Sequence, residues 1–86
     1  MHATESASGG RELVLDDLVP GQRAIVVAVL EPGALGDRLL ELGMTPGAPV
    51  EVVRRAPFGD PLQVRLRGAL VALRRAQARR IRVRAT

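Results

Sequence analysis

The side chains able to do covalent or acid–base chemistry are few and poorly placed for it. His2 is the only histidine, and cysteine, tryptophan and tyrosine are absent. Ser6 and Ser8 lie with His2 in residues 1–10, which end Ser-Gly-Gly and read as a loose tail. A Ser/His/Asp or Cys/His nucleophilic set therefore cannot be assembled inside the fold. The same absences leave no thiolate or imidazole there for a metal, so neither a metal site nor a cofactor is expected. Asp37 and Glu41 fall one helical turn apart and could together face a hard cation; an exposed polar face is the plainer reading of such a pair. No two glycines have the spacing of a phosphate-binding loop. The chain reads as a non-enzyme.

Arginine is the dominant ionic side chain. All 13 basic residues are Arg, and they are unevenly spread. Residues 1–43 carry 3 Arg and 7 acids, net −4, whereas residues 44–86 carry 10 Arg and 2 acids, net +8. A basic half can meet nucleic acid, an acidic protein or anionic lipid. Arg65, Arg67, Arg80, Arg82 and Arg84 alternate with apolar residues, so they point outward from strands, where they could track phosphates. Against this, Phe58 is the only aromatic available for base stacking, and no helix-turn-helix pair is legible. A solvated outer face is the simpler expectation.

The elements that hold these residues are short. At 86 residues the chain makes one small domain, expected over residues 11–86. Val19-Pro20-Gly21-Gln22, Glu31-Pro32-Gly33-Ala34 and Thr45-Pro46-Gly47-Ala48 share the Pro-Gly centre of a type II turn. Between them, residues 22–30 are β-branched and apolar, suiting a central strand. In residues 34–43, Leu35, Leu39 and Leu42 fall on one helical face, which is expected to meet the core, and Gly43 stands where a C-terminal helix glycine belongs. Strands are expected over 50–55, 62–67, 70–74 and 81–84. Gly68-Ala69 reads as a type II′ hairpin turn that sets Leu66 opposite Val71 and Val64 opposite Leu73. Residues 75–79 suit a brief helical turn. Five strands, tight turns and one short helix in an early loop predict a mainly β fold, a small SH3-like barrel.

What remains is an interaction module. With Leu35, Leu39 and Leu42 facing the core, Leu40 and Met44 are left near the surface, with Arg38 and Glu41 as a polar rim. The segment Pro57-Phe58-Gly59-Asp60-Pro61 is stiffened by its prolines. Phe58 either packs inward or is displayed to a partner. Gly21, Gly43, Gly47 and Gly68 are assigned to turns requiring positive φ. The longest uncharged apolar run is Ala24–Leu30, too short to span a bilayer, and the polar N-terminus lacks a secretion signal. A cytoplasmic protein without membrane insertion is expected.

These segments together resemble one family. Leu15-Asp16-Asp17-Leu18-Val19-Pro20-Gly21, the run Arg38-Leu39-Leu40-Glu41-Leu42-Gly43-Met44-Thr45-Pro46-Gly47, Arg55-Ala56-Pro57-Phe58-Gly59-Asp60-Pro61-Leu62 and Val71-Ala72-Leu73-Arg74-Arg75-Ala76-Gln77-Ala78 look like the FeoA family of bacterial ferrous iron uptake. The resemblance runs from about Leu13 to Val83. It implies an SH3-like barrel with a helix in an early loop, no enzymatic activity, and a partner: FeoB, the membrane permease with a cytoplasmic G-protein domain. Similar domains also end iron-dependent repressors of the DtxR type, whose DNA-binding and dimerisation segments have no counterpart in this sequence. The alternatives are an arginine-rich barrel that binds nucleic acid and the regulatory module of such a repressor.

Overall fold

The computed structural model describes residues 12–86, so the tail expected over 1–10 lies outside the described residues. Strand β1 (Glu12–Val14) passes through a 3-10 turn at Leu15–Asp17 into β2 (Arg23–Val29). Helix α1 (Gly33–Glu41) follows, then β3 (Pro49–Arg55), β4 (Leu62–Leu66), β5 (Ala69–Leu73), the short helix α2 (Arg75–Ala78) and β6 (Ile81–Ala85). All pairings are antiparallel, in one sheet of order β1-β6-β2-β3-β4-β5.

Two expectations need correction. Among the described residues there are six strands, not five, and the sheet is open rather than a closed barrel. The added strand, β1, has three residues, too few to display the period-two alternation by which a strand is recognised. It exists because β6 offers it an edge, pairing Glu12 with Arg84 and Val14 with Arg82. Closure fails at β5, whose only sheet neighbour is β4.

The sheet bends at two irregularities, between Val26 and Ala28 in β2 and between Val52 and Arg54 in β3. Its inner face carries Ala24, Val26, Val50, Val52, Leu62, Val64, Leu66, Leu73, Ile81 and Val83, all buried. Leu15, Leu18, Leu39, Met44 and Ala78 pack against them from the connecting segments. Gly21, Gly33 and Gly47 adopt φ of 94°, 70° and 92°. The amides of Gln22 and Ala48 close the first and third turns onto the carbonyls of Val19 and Thr45 at 3.0 and 2.9 Å.

The β4–β5 hairpin turns one residue earlier than expected. Its centre is Arg67-Gly68, with φ of 52° and 81°, the signature of a type I′ turn. Leu66 then faces Ala69, Val64 faces Val71 and Leu62 faces Leu73. Moving the turn by one residue shifts every partner by two, so the same side chains still face the core. The observed register sets Leu62 against Leu73, both buried, whereas the expected one would have run Leu62 past the end of β5. That burial outweighs holding Arg67 in the left-handed region, which costs about 1 kcal/mol.

Candidate functional site

Helix α1 ends in a way that repositions one expected site residue. Gly43 has φ 108°, its amide donates to the Leu40 carbonyl, and the Met44 amide donates to the Leu39 carbonyl, each at 3.0 Å. This pair of bonds is a Schellman ending, which folds the chain back so that the residue after the glycine packs on the last turn of the helix. Met44 is accordingly fully buried beside Leu39, not near the surface as expected. Gly43 is held chiefly by its φ: a Cβ there would lie 2.5 Å from Arg67 Nε and 2.6 Å from Arg67 Cδ, but Arg67 is an exposed, flexible side chain that can swing aside. Gly43→Val and Gly47→Val, at positions that share the positive φ, are each expected to destabilise by about 1 kcal/mol or more. Thermal unfolding of the two variants checks this, and unchanged midpoints would overturn the turn assignments.

The leucines of α1 are distributed differently from the expectation too. Leu39 alone is buried, while Leu35 and Leu42 remain 42% and 45% exposed. Leu40, Arg38 and Glu41 are exposed as expected. Leu35, Leu39 and Leu42 do share a face, but only Leu39 reaches the core; Leu35 and Leu42 stay on the wall of a groove toward β5 that Arg38 and Gln77 also border. Leu70, on β5, is 58% exposed and pairs across the ladder with Arg65.

The second group of expected residues stands at the other end of β4. Phe58 is 93% exposed, which settles its orientation in favour of display. Its loop is firmly tied. The Gly59 amide donates to the Ala56 carbonyl at 2.7 Å and the Ala56 amide to the Pro61 carbonyl at 3.0 Å. Asp60 Oδ1 accepts from the Arg75 amide at 3.2 Å, at the start of α2, and Arg55 Nη1 donates to the Gly59 carbonyl at 3.4 Å. The Asp60–Pro61 bond is cis. Pro57 borders a shallow hollow of about 210 Å³ with Arg54, Ala56, Pro61 and Gln63. The five residues of β4 separate this loop from the hairpin turn that meets Gly43, roughly 17 Å of strand. The structure therefore does not gather the helix group and the loop group into one patch.

Beneath the loop lies a cluster the sequence did not disclose. The side chain of Asp16 is only 8% exposed and meets Arg55 at 3.0 Å and Arg75 and Arg79 at 3.4 Å. Arg55 also donates to the carbonyls of Asp16 and Leu18. Burial pushes the Asp16 carboxyl up, but hydrogen bonds and charge from Arg55 and Arg75 outweigh it and hold the group below its ordinary value. Three glutamates partly offset the arginine strands. Arg65 lies 3.8 Å from Glu51, Arg80 3.8 Å from Glu31, and Arg82 and Arg84 3.3 and 3.6 Å from Glu12. The outer face is thus a lattice of mixed charge rather than an unbroken phosphate track. Among the described residues no cluster of three potential metal ligands occurs, and no helix is long and apolar enough to cross a membrane.

An open, mainly antiparallel sheet with one short helix between its second and third strands, and apolar side chains displayed at both ends of β4, defines an SH3-like module. The FeoA domain family matches residues 13–85, and the chain belongs to that family. The solution structure of FeoA from Chlorobium tepidum is 40% identical and superposes with a TM-score of 0.82, covering 85% of this chain and 70% of that one. FeoA from Stenotrophomonas maltophilia, determined with zinc and described as a prokaryotic SH3 domain protein, is 33% identical, with a TM-score of 0.74 over 83% of this chain and 88% of that one. A Porphyromonas gingivalis protein described as a fusion of Fe(2+) transport protein A and the Fe(2+) transporter FeoB is 38% identical over 69 residues. That match takes in 80% of this chain but only 8% of the fusion protein.

Proposed function

We propose that this protein is a non-enzymatic accessory factor of ferrous iron transport that docks on the cytoplasmic part of the permease FeoB. The observation that carries the reading is the fusion in P. gingivalis, in which a relative of this domain and FeoB are one polypeptide. Fusion holds two domains at high effective concentration, an arrangement suited to partners that act together. The surface agrees with a binding role: Phe58 stands exposed on a loop held by four hydrogen bonds, so little entropy is lost when it enters a partner's pocket. Leu40 offers a second apolar contact, flanked by Arg38 and Glu41.

Co-purification with full-length FeoB, with and without guanine nucleotide, tests the reading. Phe58→Ala and Leu40→Asp are each expected to weaken recovery about tenfold, as truncation of an interface anchor does, while leaving the unfolding midpoint unchanged because both side chains are exposed. Arg65→Ala combined with Arg84→Ala is expected to leave recovery intact. Loss of FeoB from the arginine variant alone, with steep salt dependence, would assign function to the charged face instead.

A further inference from the structure

The groove between α1 and β5 brings together two incomplete surfaces. One is the apolar face of α1, where Leu35 and Leu42 are left half open on either side of buried Leu39. The other is the free edge of β5. In a ladder closed by a two-residue turn, the pair flanking the turn exchanges hydrogen bonds, and so does every second pair after it. Leu66–Ala69, Val64–Val71 and Leu62–Leu73 therefore hold β5 to β4, and the backbone N–H and C=O groups of Leu70 and Ala72 turn to the open side. Among the described residues, neither Leu70 nor Ala72 takes part in a turn or loop hydrogen bond that would occupy those groups. The gap between helix and edge has a volume of about 320 Å³ and is lined by Leu35, Arg38, Leu39 and Leu42, the strand from Leu70 to Leu73, and Gln77.

We propose that an extended segment of a protein partner adds to β5 as a further antiparallel or parallel strand, lying between β5 and α1, with apolar side chains against the helix and acidic residues at its ends. Each part of that description answers a feature of the groove. Outward-turned strand backbone, otherwise left to water, is a ready template for another strand. Side chains two apart on that strand reach the leucines of α1. The acidic ends follow from charge: Arg38 borders the groove, and Arg67 and Arg74 stand before and after β5. None of the three is in an ion pair among the described residues. No acid lines the groove; Asp37 and Glu41 border an adjoining hollow that shares Leu35 and Arg38 with it, so the positive charge at the ends of the groove comes chiefly from Arg67 and Arg74. The same arginines oppose a second copy as occupant, because antiparallel pairing of β5 with its own image would bring Arg67 and Arg74 of one copy toward those of the other.

The inference deepens the docking role above and rests on it for the partner being FeoB, but the groove can be tested without FeoB. The probe is a short acetylated peptide that alternates valine and threonine between pairs of aspartate. The expected result is protection of the Leu70 and Ala72 amides from hydrogen exchange, a signature that side-chain docking alone does not produce. Ala72→Pro removes one edge donor without touching the β4 ladder and is expected to weaken the peptide at least tenfold, as is replacing its aspartates by lysines. Should Ala72→Pro fail to fold, Leu42→Asp, at an exposed position, is expected to weaken the peptide by the same factor. Undiminished binding by a folded variant, or protection elsewhere than at β5, overturns strand addition. With FeoB, recovery by wild type but not by these variants supports it. Equal recovery by wild type and variants overturns strand addition as the FeoB contact and leaves the accessory role standing. Failure of wild type to recover FeoB overturns the accessory role, and the peptide alone then decides the groove.

Discussion

Gly36→Ala is expected to lower the unfolding midpoint by about 8–16 °C, opposite in sign to helix propensity. Gly36 sits inside α1 and is buried, where alanine should be better than glycine by about 1 kcal/mol. A Cβ at this position, however, would run into the carbonyl of Glu31, overlapping its oxygen and lying 2.9 Å from its carbon. Backbone atoms cannot rotate aside as a side chain can, so the helix must move off the segment that leads into it. Overpacking of that kind costs about 3 kcal/mol, leaving roughly 2 kcal/mol of net loss after the propensity gain. For a domain of this size each kcal/mol shifts the midpoint by about 4–8 °C. Thermal unfolding followed by circular dichroism decides the matter, and a raised midpoint would show that the approach of Glu31 to Gly36 is not as described.

Removing the carboxylate of Asp16 has an effect of similar size and a distinctive pH dependence. Asp16→Asn takes one charge from a cluster that holds Arg55, Arg75 and Arg79 around a nearly enclosed side chain. Arg55 keeps its bonds to the carbonyls of Asp16 and Leu18, and Arg75 and Arg79 are partly open to screening solvent, so the loss is about 2 kcal/mol rather than the larger figure for a fully buried pair. The Asp16 carboxyl is held below its ordinary value of 3.8, against burial, by Arg55 and Arg75. The unfolded chain therefore takes up a proton there before the folded one does. The contribution of Asp16 is fully present above the ordinary value and is lost as pH falls through the lowered one. Stability curves measured from neutral to acidic pH should show wild type and Asp16→Asn converging at the acid end. A constant gap between them would place the effect in packing rather than in charge.

The resemblance that pointed to the FeoA family rested on turn and helix-end residues, and these shape the backbone locally. Gly21 and Gly47 take positive φ in two Pro-Gly turns and Gly33 takes it at the start of α1, where a third turn was expected, because Pro and Gly restrict or permit dihedral angles regardless of what surrounds them. The alternation of Leu62, Val64 and Leu66 likewise identified an inner face that is buried. The candidate site was less legible. Met44 was expected at the surface by elimination, with Leu35, Leu39 and Leu42 assigned to the core, whereas the Schellman ending turns the chain inward there. Leu35 and Leu42 were expected in the core because a helical face says which residues travel together, not what they face. The groove they border exists only because β5 stops the sheet beside them.

Charge shows the division most clearly. The sequence by itself determined the inventory: an acidic first half, an arginine-rich second half, no cysteine and a single histidine at His2, and turns rigid enough to divide the chain into short antiparallel pieces. Tertiary structure alone decided where that charge went. Asp16 meets Arg55, Arg75 and Arg79 across 39, 59 and 63 positions of sequence, and Glu12 meets Arg82 across 70. The first gathers the end of β3 and the short helix α2 around the 3-10 turn, and the second depends on β6 returning from the end of the chain to pair with β1. Composition and periodicity report on neighbours a few residues apart, while an ion pair or an open strand edge depends on which distant segments the sheet order brings together. For that reason Arg65, Arg80, Arg82 and Arg84 of the apparent basic face meet distant glutamates while Arg67 does not, and exposed apolar side chains stand at the helix groove and the Phe58 loop.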